Sequence, residues 1–98
     1  MLVAFSVSPA AADPSGSVSA AVADAVRIVR ESGLPNETNA MFTNIEGEWD
    51  EVMAVVKRAV DVVAEHSPRV SLVLKADIRP GRTGMLTEKV AKVESLLE

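Results

Sequence analysis

The sequence contains no cysteine and a single histidine, His66. These absences exclude disulfide scaffolds, thiolate metal sites and cysteine nucleophiles, and they exclude a multi-histidine metal centre within one chain. Aromatic residues make up only 3%, and no apolar run approaches the roughly 20 residues of a membrane span. Positive charge is also scarce: ten basic residues face fourteen acidic ones, for a net charge of −4. Nucleic acids and anionic membrane surfaces are therefore not expected partners.

The remaining composition is that of a globular chain. Hydrophobic residues make up 48% of the 98 residues and the mean hydropathy is +0.20, which argues against a disordered chain. The length predicts one domain spanning residues 1–98. The apolar start of the chain has no preceding basic residue and is interrupted by Ser6 and Ser8, so it predicts a first strand rather than a secretory signal. We therefore expect a soluble, cytoplasmic protein.

Alternating and helical hydrophobic spacings predict seven elements. Strands are predicted at residues 2–7, 37–40, 41 or 42 to 46, and 69–79. Helices are predicted from Ser17 or Ser19 to Ser32, from just after Gly47 to just before Ser67, and from a cap at Thr87 onward. The order β-α-β-β-α-β with an additional C-terminal helix predicts an α+β, ferredoxin-like sandwich. Two helices cover one face of its sheet. The other face is left for solvent or self-association, and Leu2, Ala4, Phe42 and Val73 are expected to make it partly apolar.

Four stretches carry a resemblance to a known family. They read SVS at residues 17–19, ESGL at 31–34, MFTNIEGEWDEV at 41–52, and RVS with KADIR between 69 and 79. The T-x-x-E-G-E-W core of the third stretch is the most specific. Together they resemble the small thiamine-binding protein family (YkoF-like), over nearly the whole chain. Phe42 and Ala40 depart from the family pattern, which favours a small residue and proline at these positions.

The resemblance implies a non-catalytic binder that forms homodimers or homotetramers and uses no cofactor. Its implied ligand is thiamine or a hydroxymethylpyrimidine-like molecule, held through the aminopyrimidine ring, with a role in thiamine uptake or homeostasis. A carboxylate accepts well from the exocyclic amine of such a ring, and hydroxyls serve the remaining edge. The residues predicted to bind it are Ser17, Ser19, Thr43, Asn44, Glu46 and Asp77.

Glu46 is the preferred carboxylate and Thr43 the paired hydroxyl. Residues three apart point to opposite faces of a regular strand, so the two converge on one ligand only if the chain bends near Gly47. Ordinary roles compete with ligand binding: exposure for Glu46, strand packing for Thr43, and helix capping for one of the two serines.

Three further alternatives stay open at this point. One is an oligomeric interaction module without a ligand, and another is an enzyme that uses Glu46 as a base on a small pyrimidine or anionic metabolite. The third concerns the basic residues Arg69, Lys75, Arg79 and Arg82, which either bind a phosphate or form a solvated surface. Trp49, the only tryptophan, is expected to pack against a helix or an oligomer partner rather than to stack on a ligand ring.

Overall fold

The computed structural model describes residues 1–10 and 18–98. Its elements are β1 (Leu2–Pro9), α1 (Val18–Glu31), β2 (Asn36–Thr38), β3 (Thr43–Glu46), α2 (Trp49–Ala64), β4 (Val70–Asp77) and α3 (Met85–Leu97). The four strands form one sheet in the order β2-β3-β1-β4, and each neighbouring pair is antiparallel. This order confirms the predicted ferredoxin-like α+β fold with an additional C-terminal helix.

One face of the sheet and the two long helices form the core. Val3, Phe5 and Val7 alternate along β1 and are buried, because successive side chains of a strand point to opposite faces. Val29 of α1 and Val52 of α2 are fully buried against them. The complete buried apolar cluster is Val3, Phe5, Val7, Ala21, Ala25, Val29, Ile45, Val52, Val55, Val56, Ala59 and Val63.

The predicted end of the first helix and the predicted turn between the second and third strands are confirmed. Gly33 has a φ of +81°, in the left-handed region that favours glycine, directly after the last turn of α1. Asn39 forms the turn between β2 and β3, where its side-chain oxygen accepts hydrogen bonds from the backbone N–H groups of Met41 and Phe42 at 2.9 and 2.8 Å. β2 is shorter than predicted, since this turn begins directly after Thr38.

The predicted start of the last helix is wrong. α3 begins at Met85 rather than at a cap on Thr87, and Gly84 at its N-cap position has a φ of +71°. Met85 is the only buried residue of this helix. The apolar side chains expected to line one side, Val90, Val93 and Leu97, are 57–75% exposed. α3 is therefore held to the fold through its first turns.

The second face of the sheet is not covered by α1 or α2. Leu2 and Ala4 of β1 lie on it, next to alternate residues of β4 that include Val73, which is 54% exposed. Phe42 does not contribute to this face, because it lies in the turn before β3 and lines a recess beside α1. Among the described residues, no helix is both long and apolar enough to cross a bilayer.

His66 follows α2, as predicted, and faces a side chain of α1. Its Nε2 lies 3.2 Å from a carboxylate oxygen of Asp24. Hydrogen bonds from Arg27 and then from His66 lower the pKa of Asp24 below its usual value. His66 thus connects the end of α2 to the middle of α1.

Candidate functional site

Glu46 ends β3 and holds the start of α3. Its side chain is buried, with 5% of the residue exposed. One carboxylate oxygen accepts a hydrogen bond from the backbone N–H of Met85 at 2.9 Å, and the other accepts from Leu86 at 3.1 Å. The first N–H groups of a helix have no partner within the helix, and a negative charge is favoured at this end of the helix dipole. Glu46 therefore supplies the cap that the sequence analysis assigned to Thr87.

A cleft of about 440 Å³ lies beside this cap, which we call the Glu46 cleft. Its lining residues are Met1, Leu34, Pro35, Glu46, Gly47, Glu48, Glu51, Arg82, Thr83, Gly84, Leu86 and Thr87. The chain just before β2, the turn that joins β3 to α2, and the first turn of α3 thus meet at one place. Ligand pockets in proteins commonly measure about 300–1,000 Å³. The cleft is large enough for a small heterocyclic molecule.

The most specific sequence stretch contributes three consecutive residues to this cleft, Glu46, Gly47 and Glu48. Gly47 packs tightly, because a Cβ at this position would lie 3.2 Å from a methyl carbon of Val52 and 3.4 Å from Leu34. The absence of a side chain lets the chain turn from β3 into α2 directly against these residues. This turn brings both glutamates to the same cleft.

The cleft is rich in hydrogen-bond acceptors and negative charge. Glu46, Glu48 and Glu51 line it, while the one arginine of its wall, Arg82, forms a salt bridge with Glu88. A carboxylate offers about four lone-pair positions, of which α3 uses two on Glu46. The site is suited to a ligand with an amine donor or a positive charge. Within residues 1–10 and 18–98, no group of acidic and histidine side chains is arranged to hold a metal ion.

Thr43 and Ser19 lie elsewhere in the fold. Thr43 is 8% exposed and lines a recess of about 110 Å³ between α1 and the β2–β3 turn, with Phe42, Val22 and Val26. Ser19 is exposed in the first turn of α1, on a groove that also includes Val22 and Val26. The structure thus brings Thr43 and Ser19 to neighbouring surfaces and separates both from Glu46. Ser17 lies outside the described residues.

Asn44 and Asp77 lie together on the uncovered face of the sheet. With Lys89 of α3 they line a small cavity of about 140 Å³. Asp77 accepts a hydrogen bond from Lys89, and this bond lowers the pKa of the Asp77 carboxyl below its usual value. This pair is a second attachment of α3 to the sheet. The five predicted binding residues that the structure describes are therefore distributed over separate surfaces.

Comparisons with known proteins bear on what these surfaces do. The sequence model of a family described as "thiamine-binding protein" matches residues 3–94. A UPF0045 protein of Mycobacterium bovis is 57% identical over 98 residues, which covers 99% of this chain and 94% of the relative. This relative carries no functional description in its name.

Solved structures of other proteins share the fold of this chain. A hypothetical protein of Methanocaldococcus jannaschii is 30% identical and superposes with a TM-score of 0.82, covering 95% of this chain and 94% of the other. A protein of Thermotoga maritima, for which a role in thiamine biosynthesis or salvage has been proposed, is 29% identical with a TM-score of 0.78. That match covers 94% of this chain and 96% of the other. The extent of the family match confirms the resemblance, and the chain belongs to the thiamine-binding protein family.

Proposed function

We propose that this protein binds thiamine or a related hydroxymethylpyrimidine-like molecule without catalysis, with the aminopyrimidine ring in the Glu46 cleft. The observation that carries the proposal is a buried carboxylate that lines a cleft of about 440 Å³ in a member of this family. Its two oxygens are fixed in place by the N–H groups of α3. A carboxylate held in this way is preorganised to accept further hydrogen bonds.

The groups of the ligand match those of the cleft. The exocyclic amine of an aminopyrimidine donates to Glu46, and a charge-assisted bond of this kind is stronger than a neutral one. Leu34, Pro35 and Leu86 supply apolar walls for the faces of a flat ring. The thiazolium ring of thiamine is positively charged, and Glu48 and Glu51 provide the opposite charge.

The recess beside α1 is the alternative position for the same ligand. It contains Thr43 and adjoins the groove with Ser19, and the resemblance assigns binding to both residues. Its volume of about 110 Å³ is below the usual range for ligand sites, and none of the described residues that line it is acidic. Asn44 and Asp77 are less favoured, because Asp77 is already paired with Lys89. The Glu46 cleft is therefore the preferred position.

Titration calorimetry on the unmodified protein tests the function. We expect saturable binding of thiamine and of hydroxymethylpyrimidine, each with one site per chain. Thr43→Val should leave the affinity unchanged if the ring occupies the Glu46 cleft, and should weaken it if the ring occupies the recess beside α1. No heat at millimolar concentrations of either ligand would overturn the proposed function and leave the fold unaffected.

The proposal includes the absence of catalysis. The family is described by binding rather than by a reaction, and both carboxylate oxygens of Glu46 already accept hydrogen bonds from backbone N–H groups of α3. Ligand recovered unchanged after prolonged incubation is the expected result. We assign the binding to thiamine uptake or homeostasis in the cytoplasm.

We also propose a homodimer or homotetramer. Leu2, Ala4 and Val73 leave apolar area on the uncovered face of the sheet, and Val90 and Val93 add more on α3. Burial of such surface between copies is favourable. Light scattering at micromolar concentration should give a mass at least twice the 10.4 kDa of one chain. A mass of a single chain would contradict this assembly.

A further inference from the structure

A second groove adjoins the Glu46 cleft. It has a volume of about 140 Å³ and is lined by Trp49, Ile78, Arg79 and the following turn, and we call it the Trp49 groove. Met1, Glu48 and Arg82 line both the groove and the cleft. The two are therefore neighbouring parts of one longer surface depression, with Glu48 between them.

Trp49 lines this groove. It is the first residue of α2 and is 55% exposed, so it is not buried against the helix, which was one of the two expectations for it. A contact with an oligomer partner stays a prediction. Indole is the best aromatic partner for a cation placed over its face. The carboxylate of Glu48, the residue before it, adds negative charge at the junction with the cleft.

Arg79 brings positive charge to the far end of the groove. It forms no salt bridge with any residue in the described ranges 1–10 and 18–98, whereas Arg82 is paired with Glu88. The backbone N–H of Arg82 donates to the Arg79 carbonyl at 3.1 Å, which closes a turn over Pro80 and Gly81. This turn places both arginines on the groove wall and leaves the Arg79 guanidinium available to an anion.

We propose that the Trp49 groove is a second subsite of the same ligand site, which takes the thiazolium ring on Trp49 and the phosphate of a thiamine phosphate ester on Arg79. The inference rests on the proposed function and names its ligand class. Of the charged and aromatic side chains, Glu46 and Glu51 line the cleft, Trp49 and Arg79 line the groove, and Glu48 and Arg82 line both. Along thiamine phosphate the groups change from an amine-bearing ring to a cationic ring to a phosphate, so each group meets its complement.

Three ligands separate the contributions of the pyrimidine ring, the thiazolium ring and the phosphate to the affinity. These ligands are hydroxymethylpyrimidine, thiamine and thiamine monophosphate. We expect their affinities to increase in that order, because each adds one group that meets the groove. The chain has one tryptophan, so its fluorescence reports on the groove alone. Thiamine and its phosphate should quench this fluorescence on binding, while hydroxymethylpyrimidine should bind with little quenching.

Single-residue variants show which side chain is responsible for each difference in affinity. Trp49→Leu should weaken thiamine about two- to thirtyfold and leave hydroxymethylpyrimidine unchanged. Trp49→Phe keeps an aromatic face and serves if the leucine variant does not fold. Arg79→Gln should weaken thiamine monophosphate by about fivefold, with no effect on thiamine. Arg69→Gln is the matched control, since Arg69 precedes β4 at the opposite end of the strand from Arg79.

The results distinguish the subsite from the function on which it rests. If hydroxymethylpyrimidine binds but thiamine monophosphate binds no tighter than thiamine, or if Arg79→Gln equals Arg69→Gln, the phosphate subsite is wrong. If thiamine binds without quenching Trp49, the thiazolium position is wrong. If none of the three ligands binds, the proposed function fails and the subsite fails with it. An increased phosphate affinity that is lost in Arg79→Gln and reduced by salt supports the proposal.

Discussion

Replacing Glu46 by glutamine is expected to weaken the binding of hydroxymethylpyrimidine and thiamine by about ten- to a hundredfold. A hydrogen bond to a charged group contributes about 1.5–3 kcal/mol, which corresponds to this range of affinities. The neutral amide has the same shape as the carboxylate, but it keeps only one acceptor oxygen and cannot attract a cationic ring by charge. Calorimetric titration of the variant and the unmodified protein measures the difference.

The same change should also loosen α3. In the native protein the two Glu46 oxygens accept from Met85 and Leu86, and the amide nitrogen of glutamine cannot accept from either. A buried N–H that loses its partner costs about 1–3 kcal/mol, so the unfolding midpoint should fall. Hydrogen exchange should be faster at the Met85 and Leu86 amides, while the core strands, which open with global unfolding, follow the overall loss of stability.

Glu37→Gln is the matched control, because this substitution makes the same chemical change at an exposed position of β2. It should affect neither affinity nor exchange in α3. Faster exchange at α3 together with unchanged ligand affinity in Glu46→Gln would show that Glu46 serves the helix alone. Thr43→Val would then be the first variant to re-examine.

Replacing Phe5 by alanine should have the largest effect on stability, a loss of about 3–5 kcal/mol in the free energy of unfolding. Phe5 is 2% exposed, lies on β1 between Thr43 and Leu74 of the neighbouring strands, and is among the largest fully buried side chains. Its removal leaves a cavity, because the surrounding side chains relax only partly to fill the space. The loss is large against the 5–15 kcal/mol typical of a whole domain.

Urea denaturation of both proteins gives this difference directly. Leu97→Ala is the control, because it also removes a large apolar side chain, but one that is 75% exposed on α3. It should change the midpoint little in the isolated chain. A Phe5→Ala protein as stable as Leu97→Ala would mean that the core does not depend on the sheet face described here.

The strands and helices of the sandwich could be predicted because their patterns are local. Val3, Phe5 and Val7 alternate on β1, and Val52, Val56 and Val63 recur at helical spacing on α2. The start of α3 could not be predicted in this way, since its cap is Glu46, 39 residues before Met85. A local rule assigned the cap to Thr87, whereas a contact between distant residues decides it.

The candidate site was predicted in part for the same reason. The resemblance predicted Glu46 as a binding residue, which stays a prediction, and the spacing of three indicated that Thr43 and Glu46 face opposite sides. Neither the spacing nor the resemblance could show that Gly84, Leu86 and Arg82 complete the cleft, because these residues approach it only through the tertiary fold.

The composition of the core has a consequence for conformational entropy. In the part of the chain that the structure describes, ten of the thirteen buried apolar residues are valine or alanine. Alanine has no rotamers to lose on folding and valine has one strongly preferred χ1 in a helix, so freezing these side chains costs little. A core of such stiff side chains also rearranges poorly around a bound molecule. Any molecule that this small domain binds would therefore meet the glutamate, arginine and tryptophan side chains at the margin of the core rather than the core itself.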